Sequence, residues 1–144
     1  MELALIVPIL AFLMMGILDF GVAYQRYVQL TSAVRDGARY GATAPTALDN
    51  TASADPNNIK YEVKREADSI VLSDSNVTIY YEVYGSNPPL SYDAGVAGNS
   101  VYAVSGNAIR VRVSYSYVPF TPYLRMLAPN GSFTVSVNAV MQIQ

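Results

Sequence analysis

The stretch that decides the fold is LALIVPILAFLMMGIL, residues 3–18, in which no side chain is charged or strongly polar. As a helix these 16 residues would be about 24 Å long, somewhat less than the ~30 Å hydrocarbon core of a bilayer. If Asp19 is tolerated, the apolar run continues to Tyr24 and reaches about 33 Å. That length is sufficient to span a membrane.

Two other interpretations of this stretch are a buried core helix and a cleaved secretory signal. A helix that is apolar on every side must be surrounded, and only roughly 100 residues would remain to surround it. A cleaved signal needs a basic start, whereas the first Lys or Arg of this chain is Arg26. We therefore expect a stable anchor that continues into a folded domain.

Residues 25–42 continue the helix with an amphipathic pattern. Tyr27, Leu30, Val34 and Ala38 recur at steps of three and four residues, which predicts one apolar stripe. Small residues also recur on one face, and they favour close approach of another backbone. We expect close packing of the helix at Ala33, Gly37, Ala38 and Gly41. Together, residues 2–42 predict one helix of about 60 Å, which Pro8 and Gly16 are expected to bend.

The remaining residues predict one short helix and several strands. Residues 58–72 have an amphipathic pattern with Asn57 or Asn58 as N-cap. Period-two alternation predicts antiparallel strands over residues 77–84, 109–117 and 133–139, and a fourth short strand is expected at 100–104. The prolines and polar residues of 43–58 predict a loop, and 85–99 and 118–130 are expected to be irregular.

The predicted fold class is therefore α+β, with a long N-terminal helix packed on a small antiparallel sheet of three or four strands and one extra short helix. We divide the chain into an apolar anchor or filament-core helix (1–24), its amphipathic continuation (25–42) and an α+β globular head (43–144).

Composition restricts the chemistry that is available. Apolar residues make up 51% and charged residues 14% of the chain, the net charge is -2, and His, Cys and Trp are absent. Without His or Cys there is no thiol nucleophile, no Ser-His-Asp triad and no ordinary zinc site. The acidic balance offers no basic face for nucleic acid. We expect no enzyme activity, no metal and no cofactor.

Two motifs resemble the TadE-like proteins of the tight-adherence pilus system. The first is MELALIVPIL, residues 1–10, followed by GILDFG, residues 16–21. The second is AVRDGARYGA, residues 33–42, where Gly-Ala-Arg follows a charged pair. This resemblance implies a type IV pilin-like protein whose assembly and anchoring residues are Glu2, Pro8, Gly16, Asp19, Phe20 and Gly21.

The resemblance also implies a life cycle. Such proteins are inserted in the cytoplasmic membrane, trimmed by a prepilin peptidase and extracted by assembly machinery into a surface filament made of copies of themselves. The glutamate of pilin-like chains normally stands fifth after the cleavage point, whereas Glu2 stands second here. We expect either that residues precede this start or that processing differs.

The charges of the helix constrain such an assembly. Within an apolar core, Glu2 and Asp19 are costly unless they are paired. We expect Glu2 either to meet a neighbour's N-terminal amine or to lie solvated at the cytoplasmic end. For Asp19 we expect either Arg26 of an adjacent copy or the membrane–water boundary. The basic residues after the anchor favour a cytoplasmic head, whereas the resemblance implies an extracellular one, which we prefer.

Three functions follow from these observations. The first is a structural subunit that polymerises through its apolar helix into an extracellular filament for adhesion. The second is a minor pilin or membrane-anchored accessory protein of a tight-adherence pilus, and the third is a membrane-tethered binding module. Asn76 and Asn130 begin glycosylation sequons, and both are candidates for modification.

Overall fold

The computed structural model describes residues 2–48, 58–85, 90–96 and 98–144, with side chains from residue 6 onward. Its first element is helix α1, Glu2–Thr43, which is followed by the short helix α2, Ile59–Glu66. The strands are β1 (Val77–Val83), β2 (Leu90–Asp93), β3 (Ala108–Tyr117) and β4 (Phe133–Gln142), and helix α3, Pro122–Leu127, lies between β3 and β4.

The described residues form two compact units. The anchor unit comprises Met1–Val28 and Ser116–Val135, and the head unit comprises Gln29–Tyr115 and Ser136–Gln144. Helix α1 contributes its first part to the anchor unit and its second part to the head unit.

The four strands form one antiparallel sheet in the order β2-β1-β3-β4. In β1, Val77 pairs with Val113 and Tyr81 with Ile109, so the apolar positions of β1 and β3 share one face. This face, the buried residues of α1 and those of α2 form the core of the head unit. Its fully buried members include Leu30, Val34, Ile59, Val63, Tyr81, Ile109 and Val111. The α+β fold class is confirmed.

The start of α2 is also as predicted, because the Asn58 side chain accepts a hydrogen bond from the Tyr61 amide and caps the helix. Its end is not: the helix stops at Glu66, although the apolar pattern runs on to Leu72. Ile70 and Leu72 are nevertheless buried. They reach the core from a turn and an irregular segment, and burial alone does not distinguish these from helix.

Two further predictions were wrong. Residues 99–102 form a 3-10 turn instead of a strand, and the fourth strand is β2, which falls in the segment expected to be irregular. β2 is an edge strand of only four residues, most of them exposed, and so short a stretch of alternation does not distinguish a strand from a loop. The second irregular segment contains α3, which begins with Thr121 at the N-cap position and Pro122 in the first turn.

Candidate membrane-anchoring and assembly site

The first part of α1 presents apolar side chains outward on every side. Phe12 is 61% exposed and Leu18 is 67% exposed, and their neighbours along the helix are similar. The exposed apolar residues of this part include Ile6, Val7, Ile9, Leu10, Leu13, Met14, Met15, Ile17, Phe20 and Val22. Water is a poor solvent for such a surface, so it requires lipid or protein around it.

Length and composition agree with this conclusion. Among the described residues, one helix is long and apolar enough to cross a membrane, and it covers Ile6–Thr43. Its most apolar window has a mean hydropathy of 2.2 and is 6% buried. A core helix of a soluble domain would be mostly buried, so the N-terminal helix indicates membrane anchoring.

Several residues predicted for this site lie on the exposed surface. Pro8 and Phe20 are exposed within the helix. A Cβ added at Gly16 or Gly21 would have no atom within 4 Å, apart from its own helix. The side chain of Glu2 lies outside the described residues, so its predicted pairing stays a prediction.

Asp19 differs from its apolar neighbours because its carboxylate is enclosed by the anchor unit. The residue is only 4% exposed. The Phe120 amide donates to Oδ1 at 2.7 Å and the Thr121 amide donates to Oδ2 at 2.8 Å. The Tyr117 hydroxyl donates to Oδ1 at 3.1 Å. Both carboxylate oxygens are thus satisfied within one chain, as a buried charge requires.

The segment that holds Asp19 also lies beside the more N-terminal turns of α1. A groove of about 490 Å³ is lined by Ile9, Phe12, Leu13 and Gly16 on one side and by Thr121, Tyr123 and Leu124 on the other. Sequence analysis missed Tyr117, Phe120 and Thr121 as partners of Asp19. The only local signal was Thr121-Pro122, which predicts the start of a helix but not what it faces.

The small residues predicted for close packing lie in the head unit, where all four are buried. Ala33 and Ala38 are fully buried. A Cβ at Gly37 would overlap Cγ2 of Val63 in α2, and one at Gly41 would lie 2.8 Å from Ile109 Cδ1 and 3.0 Å from Ile59 Cδ1. The glycines therefore let α1 approach both α2 and β3.

The two sequon asparagines have different surroundings. Asn76 is half-buried: its Nδ2 donates to the Ser114 carbonyl at 2.9 Å and its Oδ1 accepts from the Ser73 amide at 2.9 Å. Asn130 is exposed, with a left-handed backbone at φ 55°. Asn130 is thus more accessible to a modifying enzyme than Asn76.

Two tyrosines of the head unit form a stacked pair. The rings of Tyr92 and Tyr102 lie 4.0 Å apart between centroids, with 9° between their planes. A hydrogen bond to the Tyr102 side chain, which favours the neutral form of Tyr92, is the main cause that raises the pKa of Tyr92 above its usual range. Within the described residues, no three acidic side chains lie close enough to hold a metal ion.

The N-terminal part of α1 matches a known protein family. Residues 1–39 match the model of the TadE-like protein family. The resemblance seen in the sequence is thereby confirmed for this TadE-like segment, which contains the exposed apolar surface, Asp19 and Gly37. The match covers the N-terminal segment alone and indicates the family of that segment. No curated protein and no solved structure matches the chain.

Proposed function

We propose that this chain is a pilin-like structural subunit of a tight-adherence-type pilus. It resides in the cytoplasmic membrane through residues 1–24 and then polymerises through the same helix into an extracellular filament that serves adhesion. The observation that carries this proposal is the apolar surface of residues 6–22, which is exposed on every side of a helix that continues into a folded unit.

The energetics favour a transfer between two apolar surroundings. Removing a large apolar side chain from water contributes about 1.5–3 kcal/mol, and more than ten such side chains are exposed here. Lipid and a core of neighbouring helices both provide this gain. Moving a subunit from one to the other therefore costs little hydrophobic free energy, and assembly machinery supplies the directed step.

In this proposal the two acidic residues of the anchor segment, residues 1–24, have different tasks. Asp19 has its acceptors occupied by its own chain, so it does not need Arg26 of another copy. Glu2 is then the residue that pairs with a neighbour's N-terminal amine, and the cost of an unpaired charge in an apolar core favours one axial stagger. Processing by a prepilin peptidase would generate that amine.

A second candidate is a minor pilin or a membrane-anchored accessory protein. It is favoured by the groove beside Ile9 and Gly16, because Thr121, Tyr123 and Leu124 of the same chain line its other side and limit how closely a neighbouring helix can approach there. A covered helix offers less surface to neighbouring helices in a filament core.

Electron microscopy of filaments sheared from cells, with peptide mass spectrometry of the same fraction, tests the proposal. Filaments composed mainly of this chain support polymerisation. Glu2→Ala should abolish them while the head stays folded, and Glu66→Ala, an exposed acidic residue in α2, is the matched control. Recovery of the chain only in the membrane fraction would instead favour the accessory role, and normal filaments from Glu2→Ala would remove Glu2 from the mechanism.

A further inference from the structure

We propose that residues 118–128, here called the foot, insert into the lipid leaflet nearest Asp19. They would lie beside the anchor helix, on the N-terminal side of Asp19. The foot would make the membrane attachment two-part: one spanning helix and one short segment at the interface. This inference rests on membrane anchoring of the chain, and not on its polymerisation.

The first observation is the position of the foot within the anchor unit. Tyr123 and Leu124 line the same groove as Ile9, Phe12 and Gly16, and these three residues precede Asp19 in the apolar run. At about 1.5 Å per residue, Phe12 and Gly16 lie roughly 10 Å and 5 Å from Asp19 along the helix axis. This is the depth of about 5–10 Å at which interfacial helices bury their apolar faces.

The second observation is the chemistry of the outer surface of the foot. Phe120 is 91% exposed and Met126 is 87% exposed. Val118, Tyr123 and Leu127 are also exposed. Several large apolar side chains on so short a segment form a patch that is continuous with the apolar anchor, and such patches mark membrane or protein contacts.

Charge points to lipid as the occupant. Residues 116–135 contain a single charged side chain, Arg125, and no acidic one. Arg125 is exposed and donates from Nη2 to the Pro119 carbonyl at 3.3 Å. An arginine at this depth extends its guanidinium to the phosphate layer while its stem lies along apolar surface. Tyr123 is the residue type that membrane interfaces favour.

Several backbone N–H groups of the foot are either absent or hydrogen-bonded within the chain, which suits a region with little water. Pro119 and Pro122 have no N–H group, and Phe120 and Thr121 donate theirs to the Asp19 carboxylate. The amides of Arg125 and Ala128 donate to the carbonyls of Thr121 and Leu124. Because an unpaired peptide group is costly in hydrocarbon, these bonds lower the cost of inserting the segment.

The foot also bears on where the anchor ends. Residues 3–18 give only about 24 Å of apolar helix, and the polar cluster at Asp19 requires a boundary close by. Apolar side chains of the foot at the level of Phe12 to Gly16 widen the apolar surface at the end of this short span. We therefore assign Asp19 to the membrane–water boundary, where its carboxylate holds the foot against the helix.

Tryptophan fluorescence tests the inference directly, since the chain has no Trp. Phe120→Trp and Met126→Trp each place a single indole on the foot of the full-length chain. Val71→Trp is the control, because Val71 is 95% exposed in the head unit. The variants are reconstituted in phosphatidylcholine–phosphatidylglycerol vesicles, with brominated acyl chains as the lipid quencher and iodide as the aqueous quencher.

The expected result is blue-shifted emission from both foot variants, several-fold stronger quenching by brominated lipid than in Val71→Trp, and several-fold weaker quenching by iodide. Equal access of iodide to all three indoles would overturn the inference. Protection that disappears when protein is diluted in excess lipid would also overturn it, because a second copy would then be the occupant. Filament formation is assayed separately, so failure of either proposal is recognised independently.

Discussion

The two parts of helix α1 belong to one continuous element, yet they have opposite relations to the rest of the chain. In the first part Leu10 is 57% exposed, whereas in the second part Leu30 is fully buried. The first part is apolar on every side, while the second restricts its apolar and small residues to the faces that meet α2 and the sheet. The head unit thus completes its own core, and the anchor helix does not.

This difference teaches how to distinguish the two roles of an apolar helix. Periodicity marks the part that folds against its own chain, because only one face is buried there. Loss of periodicity marks the part that must find apolar surroundings elsewhere. Substitutions at matched residues in the two parts test this distinction.

The largest local effect is expected at Asp19, the polar residue that links the first part of α1 to residues 117–121. Asp19→Ala leaves the Phe120 and Thr121 amides without their acceptor, at about 1–3 kcal/mol for each buried donor. We expect the segment to open, which faster hydrogen exchange at the Phe120 and Thr121 amides would reveal. Asp19→Asn keeps one acceptor and should have a smaller effect. Unchanged exchange in Asp19→Ala would contradict the role of the carboxylate.

Leu30→Ala compared with Leu10→Ala tests the contrast itself. Truncation of the buried Leu30 should lower the free energy of unfolding of the head unit by about 2–5 kcal/mol. Truncation of Leu10 should leave that free energy nearly unchanged, because Leu10 is 57% exposed and belongs to no core of the described residues. Thermal unfolding of the full chain in detergent micelles, followed by near-ultraviolet circular dichroism, measures both. Equal destabilisation by the two variants would refute the division of the helix.

Gly37→Leu compared with Gly21→Leu tests close packing. A side chain at Gly37 overlaps Val63, whereas one at Gly21 meets open space. Overpacking should destabilise the head unit by about 1–3 kcal/mol at Gly37 only. The same melting experiment provides the measurement, and an unchanged melting temperature for Gly37→Leu would exclude the tight contact between α1 and α2.

The smallest effect is expected at the cap of α2, the helix against which the second part of α1 packs. Asn58→Ala removes the acceptor of the Tyr61 amide and should cost about 1 kcal/mol. Ser105→Ala, at an exposed position of the head unit, serves as a control in the same denaturant titration. If both variants have the same midpoint, the cap contributes nothing measurable.

Much of the fold was predictable because the relevant patterns are local. The alternation of residues 109–117 gave strand β3 nearly to the residue, and Asn58 was a recognisable cap. Strand β2 was missed because its four residues, Leu90–Asp93, are too few for their alternation to establish a strand. Helix α3 was missed because six residues are too few to establish a helical period.

For the candidate site, too, features that depend on neighbouring residues were predictable, and contacts between distant residues were not. The sequence by itself determined the apolar anchor, the glycine spacing and the match to the TadE-like family, since each depends on residues that are close in the chain. The tertiary structure alone decided which groups satisfy Asp19 and what lies beside Ile9 and Gly16. The bonds to Asp19 join residues 98 to 102 positions apart, and no local pattern encodes which distant backbone amides will approach a buried carboxylate.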